Sequence, residues 1–102
     1  MTPFTKRKFG RVDLEVTAMG FGTAPIGNFA REVNEEEADA TTQEAWRSGI
    51  RYFDTAPMYG HGLAELRAGY SLRWKNREDF VLSTKVGRLL RPRRRGQIDF
   101  SP

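Results

Sequence analysis

Three side chains in this sequence could do proton chemistry together. Asp54 closes the run Ile50-Arg51-Tyr52-Phe53-Asp54, and Tyr59 lies five residues on, in a turn marked by Pro57 and Gly60. Lys85 closes a second run, Phe80-Val81-Leu82-Ser83-Thr84. The three are a carboxylate, a phenol and an ammonium. A free phenol titrates at about pH 10 and is a weak acid at neutrality. A cation beside it favours the ionised form and so makes it a better proton donor, while a carboxylate beside the cation keeps that cation charged and oriented. Taken singly, each residue has a plain structural reading: a turn former, a packed rim aromatic, a solvated strand end. Their combination at element ends is what argues for chemistry.

The elements that must position them are α/β in character. Ile50, Tyr52 and Phe53 fit a pleated, half-buried surface, and the apolar pattern stops at the acid. If the two runs are parallel neighbours, all three groups gather at the C-terminal lip of one sheet, where α/β folds hold ligands. Met19-Gly20-Phe21-Gly22-Thr23 reads as an earlier, glycine-rich strand. Gly22 either lets backbone approach a ligand or makes a tight barrel corner, and residue physics leaves both open. Asn34 can cap a helix whose first turn holds Glu35, Glu36 and Glu37, with Glu37 completing a box-like arrangement. Ala38, Thr41, Thr42, Ala45 and Trp46 give that helix an apolar-leaning stripe, Trp46 being the anchor on the sheet, and Gly49 ends it. A second helix is expected from about Leu63 to Trp74, with Leu63, Leu66, Tyr70 and Trp74 on one face. Before all of these, Lys6-Arg7-Lys8-Phe9 and Leu14-Glu15-Val16 flank Gly10-Arg11-Val12-Asp13 and read as a hairpin lid, although Val12 suits a turn poorly if it must take positive φ.

The spacing Asp54, Tyr59, Lys85 and the wording FDTAPMYGHG and FVLSTKVGRLL resemble the aldo-keto reductase family, closest to its sugar and pyridoxal dehydrogenase branch. The resemblance runs from about Arg7 to Arg91. It implies the N-terminal portion of a (β/α)8 TIM barrel: a hairpin over 6–17, about three βα units over 19–90, and a basic loop and truncated end over 91–102, with the barrel not closed. That fold needs roughly 250 residues, and this chain has 102. By resemblance Tyr59 is the general acid for reduction and the general base for oxidation, Lys85 tunes it, and Asp54 anchors Lys85. Gly22, Thr23 and Asp54 would meet the nicotinamide end of NADP or NAD. The substrate implied is a sugar-like or small aldehyde, ketone or alcohol. The family's fourth catalytic residue, a His ending the next strand, has no match, since His61 is the single histidine and lies in a glycine turn. Ala64 stands where the family commonly has a capping Ser, and Ala68 and Tyr70 replace the commoner Leu and Arg. The isolated chain is expected to be inactive, weakly stable and prone to aggregate or to need a partner, because three units leave two sheet edges open.

Composition narrows the alternatives. The chain is 38% hydrophobic and 29% charged, with a mean hydropathy of −0.63 and no cysteine. No disulfide, thiolate or zinc chemistry is expected. No run approaches a membrane span and Met1–Gly10 lacks a signal's apolar core, so a cytoplasmic setting is expected. Of the net charge of +4, Lys85 to Arg95 supplies six positive charges and no acid, which leaves −2 for the remainder. That local cluster admits a competing reading, a basic module binding nucleic acid or a complementary chain. Trp46, Tyr52 and Phe53 are not interleaved with the arginines as stacking platforms, which favours the enzyme reading without nucleic acid.

Overall fold

The computed structural model describes residues 2–87 and 90. The basic cluster over 88–95 and the end of the chain therefore lie almost wholly outside the described residues. An antiparallel hairpin comes first, β1 (Lys6–Lys8) with β2 (Glu15–Thr17). A three-stranded parallel sheet follows: β3 (Phe21–Gly22), β4 (Tyr52–Asp54) and β5 (Val81–Ser83), in the order β3-β4-β5. Helix α1 (Glu35–Ser48) joins β3 to β4, and α2 (Leu63–Leu72) joins β4 to β5.

The strands are shorter than the apolar runs that announce them. Ile50 and Phe80 are buried but precede their strands. In β4 the side chains alternate. Phe53, fully buried, points to the helices, where Ala45, Ile50, Leu72 and Phe80 enclose it and Trp46 stacks over it at 6.2 Å. Tyr52 and Asp54 point to the opposite face. That face is floored by the hairpin, whose Phe9 meets the ring of Tyr52 edge-on at 6.4 Å. The positive-φ residue in the hairpin turn is Gly10 and not Val12, so the β-branched side chain carries no strain there.

Helix α1 begins where its cap dictates. The Asn34 side chain accepts the Glu37 N–H at 2.8 Å. The reciprocal half of the box is replaced by an ion pair, because the Glu37 carboxylate turns to Arg31 at 3.4 Å. Gly49, at φ 113°, closes the helix.

Helix α2 departs from the sequence reading at its start, and its packing settles which face is inside. Its N-cap is Gly62, and Ala64 is the second residue of the helix, buried against the Ala24–Gly27 turn, so a small side chain there serves packing and not capping. Its buried face is Ala64, Arg67, Ala68, Ser71 and Leu72. Leu66, Tyr70 and Trp74 instead face solvent, and Trp74 is 83% exposed. Where the helix meets the loop that follows β3, its buried face carries the small side chain of Ala64. Among the described residues no helix is long and apolar enough to cross a membrane.

Candidate active site

The register of the sheet brings the predicted groups to one lip. Gly22 is paired with Asp54, and Asp54 with Ser83, so β3, β4 and β5 end level. The chain leaves β5 through Thr84 to Lys85, whose Nζ returns to donate to Asp54 Oδ2 at 2.7 Å and to the Thr55 carbonyl at 3.0 Å. Tyr59 stands on the turn after β4, with the Lys85 ammonium 5.2 Å from its ring centroid. Acid, amine and phenol thus occupy one lip.

The turn carrying Tyr59 is held by a contact between glycines. A side chain on Gly27 would approach the Tyr59 carbonyl to 2.6 Å, and one on Gly60, itself at φ 72°, would collide with the Gly27 carbonyl. Only hydrogen at both positions lets the two loops close. The Gly27 loop is pinned from behind by Arg67. Its buried guanidinium bonds the Ile26 carbonyl at 2.8 Å, Asn28 Oδ1 at 3.2 Å and the Glu35 carboxylate at 2.7 Å. This places Phe29, 67% exposed, edge-on to Tyr59 at 5.8 Å between ring centroids. Neither Phe29 nor Arg67 is marked by any sequence motif. The one available signal is Arg67 itself, a charge inside the run of small residues that forms the buried face of α2.

A hollow of about 340 Å³ opens beside these groups, lined by Ala56, Pro57, Met58, Tyr59, Lys85 and Val86. It is apolar except for the phenol and the ammonium, as suits a small organic ligand oriented by few polar contacts. At the neighbouring lip, a side chain on Gly22 would meet nothing within 4 Å, and Thr23 is buried with its hydroxyl unpartnered among the described residues. Open space over Gly22 in register with Asp54 fits the approach of a flat cofactor ring, and the orphaned hydroxyl is a free donor or acceptor there. His61, at φ 58°, lies in the turn beyond Tyr59, and no cluster of metal-ligating side chains occurs among the described residues.

The ion pair shifts both partners. Burial works to raise the Asp54 carboxyl, but the hydrogen bonds from Lys85 and Ser83, with the Lys85 charge, outweigh it and hold Asp54 below the ordinary carboxylate range. The hydrogen bond to Asp54 raises Lys85 above the ordinary amine range against a smaller opposing effect of burial. The lowered Asp54 therefore contributes stability above about pH 4 that is lost as pH falls through its depressed value. The raised Lys85 contributes stability below about pH 10 that is lost as pH rises through its elevated value. Both side chains are more than a third exposed, at 38% and 49%, so the contribution is screened. We expect Asp54→Asn to flatten part of the acid limb of a plot of urea midpoint against pH. An acid limb identical in variant and wild type would show that the pair adds nothing to stability.

Chains of similar sequence and fold are found among known proteins. The profile of the aldo/keto reductase family matches residues 18–99. A D-threo-aldose 1-dehydrogenase of a Pseudomonas species is 53% identical over 79 residues, covering 78% of this chain and 24% of that protein. A pyridoxal 4-dehydrogenase of Microbacterium luteolum is 52% identical over 92 residues, covering 90% of this chain and 27% of that protein. The solved holo form of an aldo-keto reductase from Bacillus halodurans superposes with a TM-score of 0.80 at 34% identity, over 94% of this chain and 30% of that one. The chain thus spans about a quarter of the length of these curated relatives, and its fold is part of their (β/α)8 barrel, not closed by the described residues.

Proposed function

This chain belongs to the aldo/keto reductase family, and on that premise we propose that it supplies the proton-transfer half of an NAD(P)-dependent oxidoreductase site. The observation that supports the reading best is the Lys85 ammonium, 2.7 Å from Asp54 and 5.2 Å from the Tyr59 ring. When bound, a nicotinamide cofactor supplies or accepts the hydride. In reduction, Tyr59 gives its hydroxyl proton to the carbonyl oxygen as negative charge develops there. In oxidation, Tyr59 takes the proton back from the alcohol. Lys85 stabilises the phenolate left behind, and Asp54 keeps Lys85 charged and aimed. Gly22, Thr23 and Asp54 form the lip that would receive the nicotinamide end, for NADP or NAD alike.

The substrate class we propose is a sugar-like or small aldehyde, ketone or alcohol. It is supported by two relatives named for an aldose and for pyridoxal, and by an apolar hollow carrying only a phenol and an ammonium as polar handles. The described residues do not close the barrel that would exclude water from this site, so the 102-residue chain alone is expected to show no turnover.

The test is a chimera in which this chain replaces the matching segment of the Pseudomonas dehydrogenase. We expect the chimera to oxidise an aldose with reduction of NAD(P), and the chain alone to reduce none. A folded chimera that binds cofactor but turns over no alcohol or carbonyl substrate would overturn the proposal.

A further inference from the structure

We propose that Ser83, backed by Tyr52, is a positioning residue for the proton-transfer group: it holds one oxygen of the Asp54 carboxylate so that the other is left to Lys85. The proposal rests on the reading of Asp54, Lys85 and Tyr59 given above, and adds to it two groups in which the sequence shows no chemistry.

The parallel register makes the arrangement. Asp54 is paired with Ser83, and Tyr52 with Val81, so the side chains of Tyr52, Asp54 and Ser83 share the face of the sheet opposite Phe53. Ser83 Oγ donates to Asp54 Oδ1 at 2.6 Å, while Lys85 Nζ donates to Oδ2 at 2.7 Å. Each carboxylate oxygen therefore has its own donor. The terminal torsion of an aspartate is broad, so without a partner on Oδ1 the carboxylate is restrained at one oxygen only, by the Lys85 nitrogen that the Thr55 carbonyl also holds.

The direction of the chain follows from the chemistry of its end. An ionised carboxylate only accepts, and a serine hydroxyl has one proton. That proton is committed to Asp54, so at the 3.1 Å contact between Tyr52 and Ser83 the phenol must be the donor. The Tyr52 ring is itself fixed. Phe9 of the hairpin meets it edge-on, and Gly20 leaves the space it fills, since a side chain there would come within 3.0 Å of the ring. A continuous series of contacts thus runs from the hairpin through Tyr52, Ser83 and Asp54 to Lys85 and on to the ring of Tyr59.

The experiment is a carbon-13 NMR titration of the Asp54 carboxyl in the chimera described above, with variants Ser83→Ala, Ser83→Thr, Tyr52→Phe and Lys85→Met. In Ser83→Ala the Asp54 midpoint is expected to rise while the amide spectrum stays dispersed. Ser83→Thr, which keeps the hydroxyl, should restore the midpoint, and Tyr52→Phe should give a smaller rise. A rescue by threonine is what a merely space-filling serine would not show. An Asp54 midpoint in Ser83→Ala equal to wild type overturns the proposal. Should Ser83→Ala lose its dispersed spectrum, Tyr52→Phe decides, and a midpoint equal to wild type there overturns the relay. Lys85→Met tests the underlying reading separately. If it leaves Asp54 titrating where it did, the ion pair fails, whereas failure of the serine variants alone leaves the pair intact.

Discussion

Tyr59→Phe is expected to lower kcat of the chimera by about 100- to 10 000-fold, the range associated with loss of a positioned general acid or base, while KM changes little. The variant keeps the ring that meets Phe29 edge-on at 5.8 Å, so the wall of the hollow survives. On the proposed reading it removes the proton that follows hydride onto the carbonyl oxygen. Lys85 is a poor substitute, because two of its three protons are held by Asp54 at 2.7 Å and by the Thr55 carbonyl at 3.0 Å, and its elevated pKa makes it a reluctant donor. The effect should fall on kcat, since the phenol stabilises charge that exists only in the transition state. Steady-state kinetics in the reductive direction read it directly. Turnover within a factor of two of the parent would remove Tyr59 from the chemistry.

Phe53→Ala is expected to destabilise the chain by about 3–5 kcal/mol, against a total of about 5–15 kcal/mol for an ordinary domain. Phe53 is fully buried and is the hub of the aromatic core, with ring centroids at 5.9 Å to Phe21, 6.2 Å to Trp46 and 6.3 Å to Phe80. Removing it strips contacts from β3, from the residue that leads into β5 and from α1 at once. It also sits between Tyr52 and Asp54 in β4, so slackening there should reach the ion pair. Urea unfolding followed by near-ultraviolet circular dichroism, which reports Trp46, measures the loss. Phe53→Leu, which refills most of the volume, should cost much less. An alanine variant within 1 kcal/mol of wild type would mean that this cluster does not hold the sheet to its helices.

The parallel sheet and the placing of Asp54, Tyr59 and Lys85 at its lip were legible because their signals are local. An apolar run that stops at Asp54 or before Lys85 carries its own end mark, and Asn34 and Gly49 mark α1 by cap chemistry that acts over three or four residues. Which face of α2 lies inside was not legible for a related reason. Leu66, Tyr70 and Trp74 keep helical spacing, but spacing names a stripe without saying which stripe is inside. Here closeness to the Gly27 loop decided it, and that closeness favours Ala64 and Ala68 over larger side chains.

By itself the sequence determined the element order, the polar end of each strand and the three residue types that could exchange a proton. It also carried the wording that ties the chain to its family. The tertiary structure alone decided how those residues meet. Register sets Asp54 opposite Ser83 and gives each carboxylate oxygen its own donor. The buried Arg67 holds a loop from more than thirty residues earlier in the chain, and so brings Phe29 over Tyr59. The reason is physical: a strand's pattern has a period of two residues and a helix's of 3.6, so neither records a partner that the chain reaches only after folding back on itself.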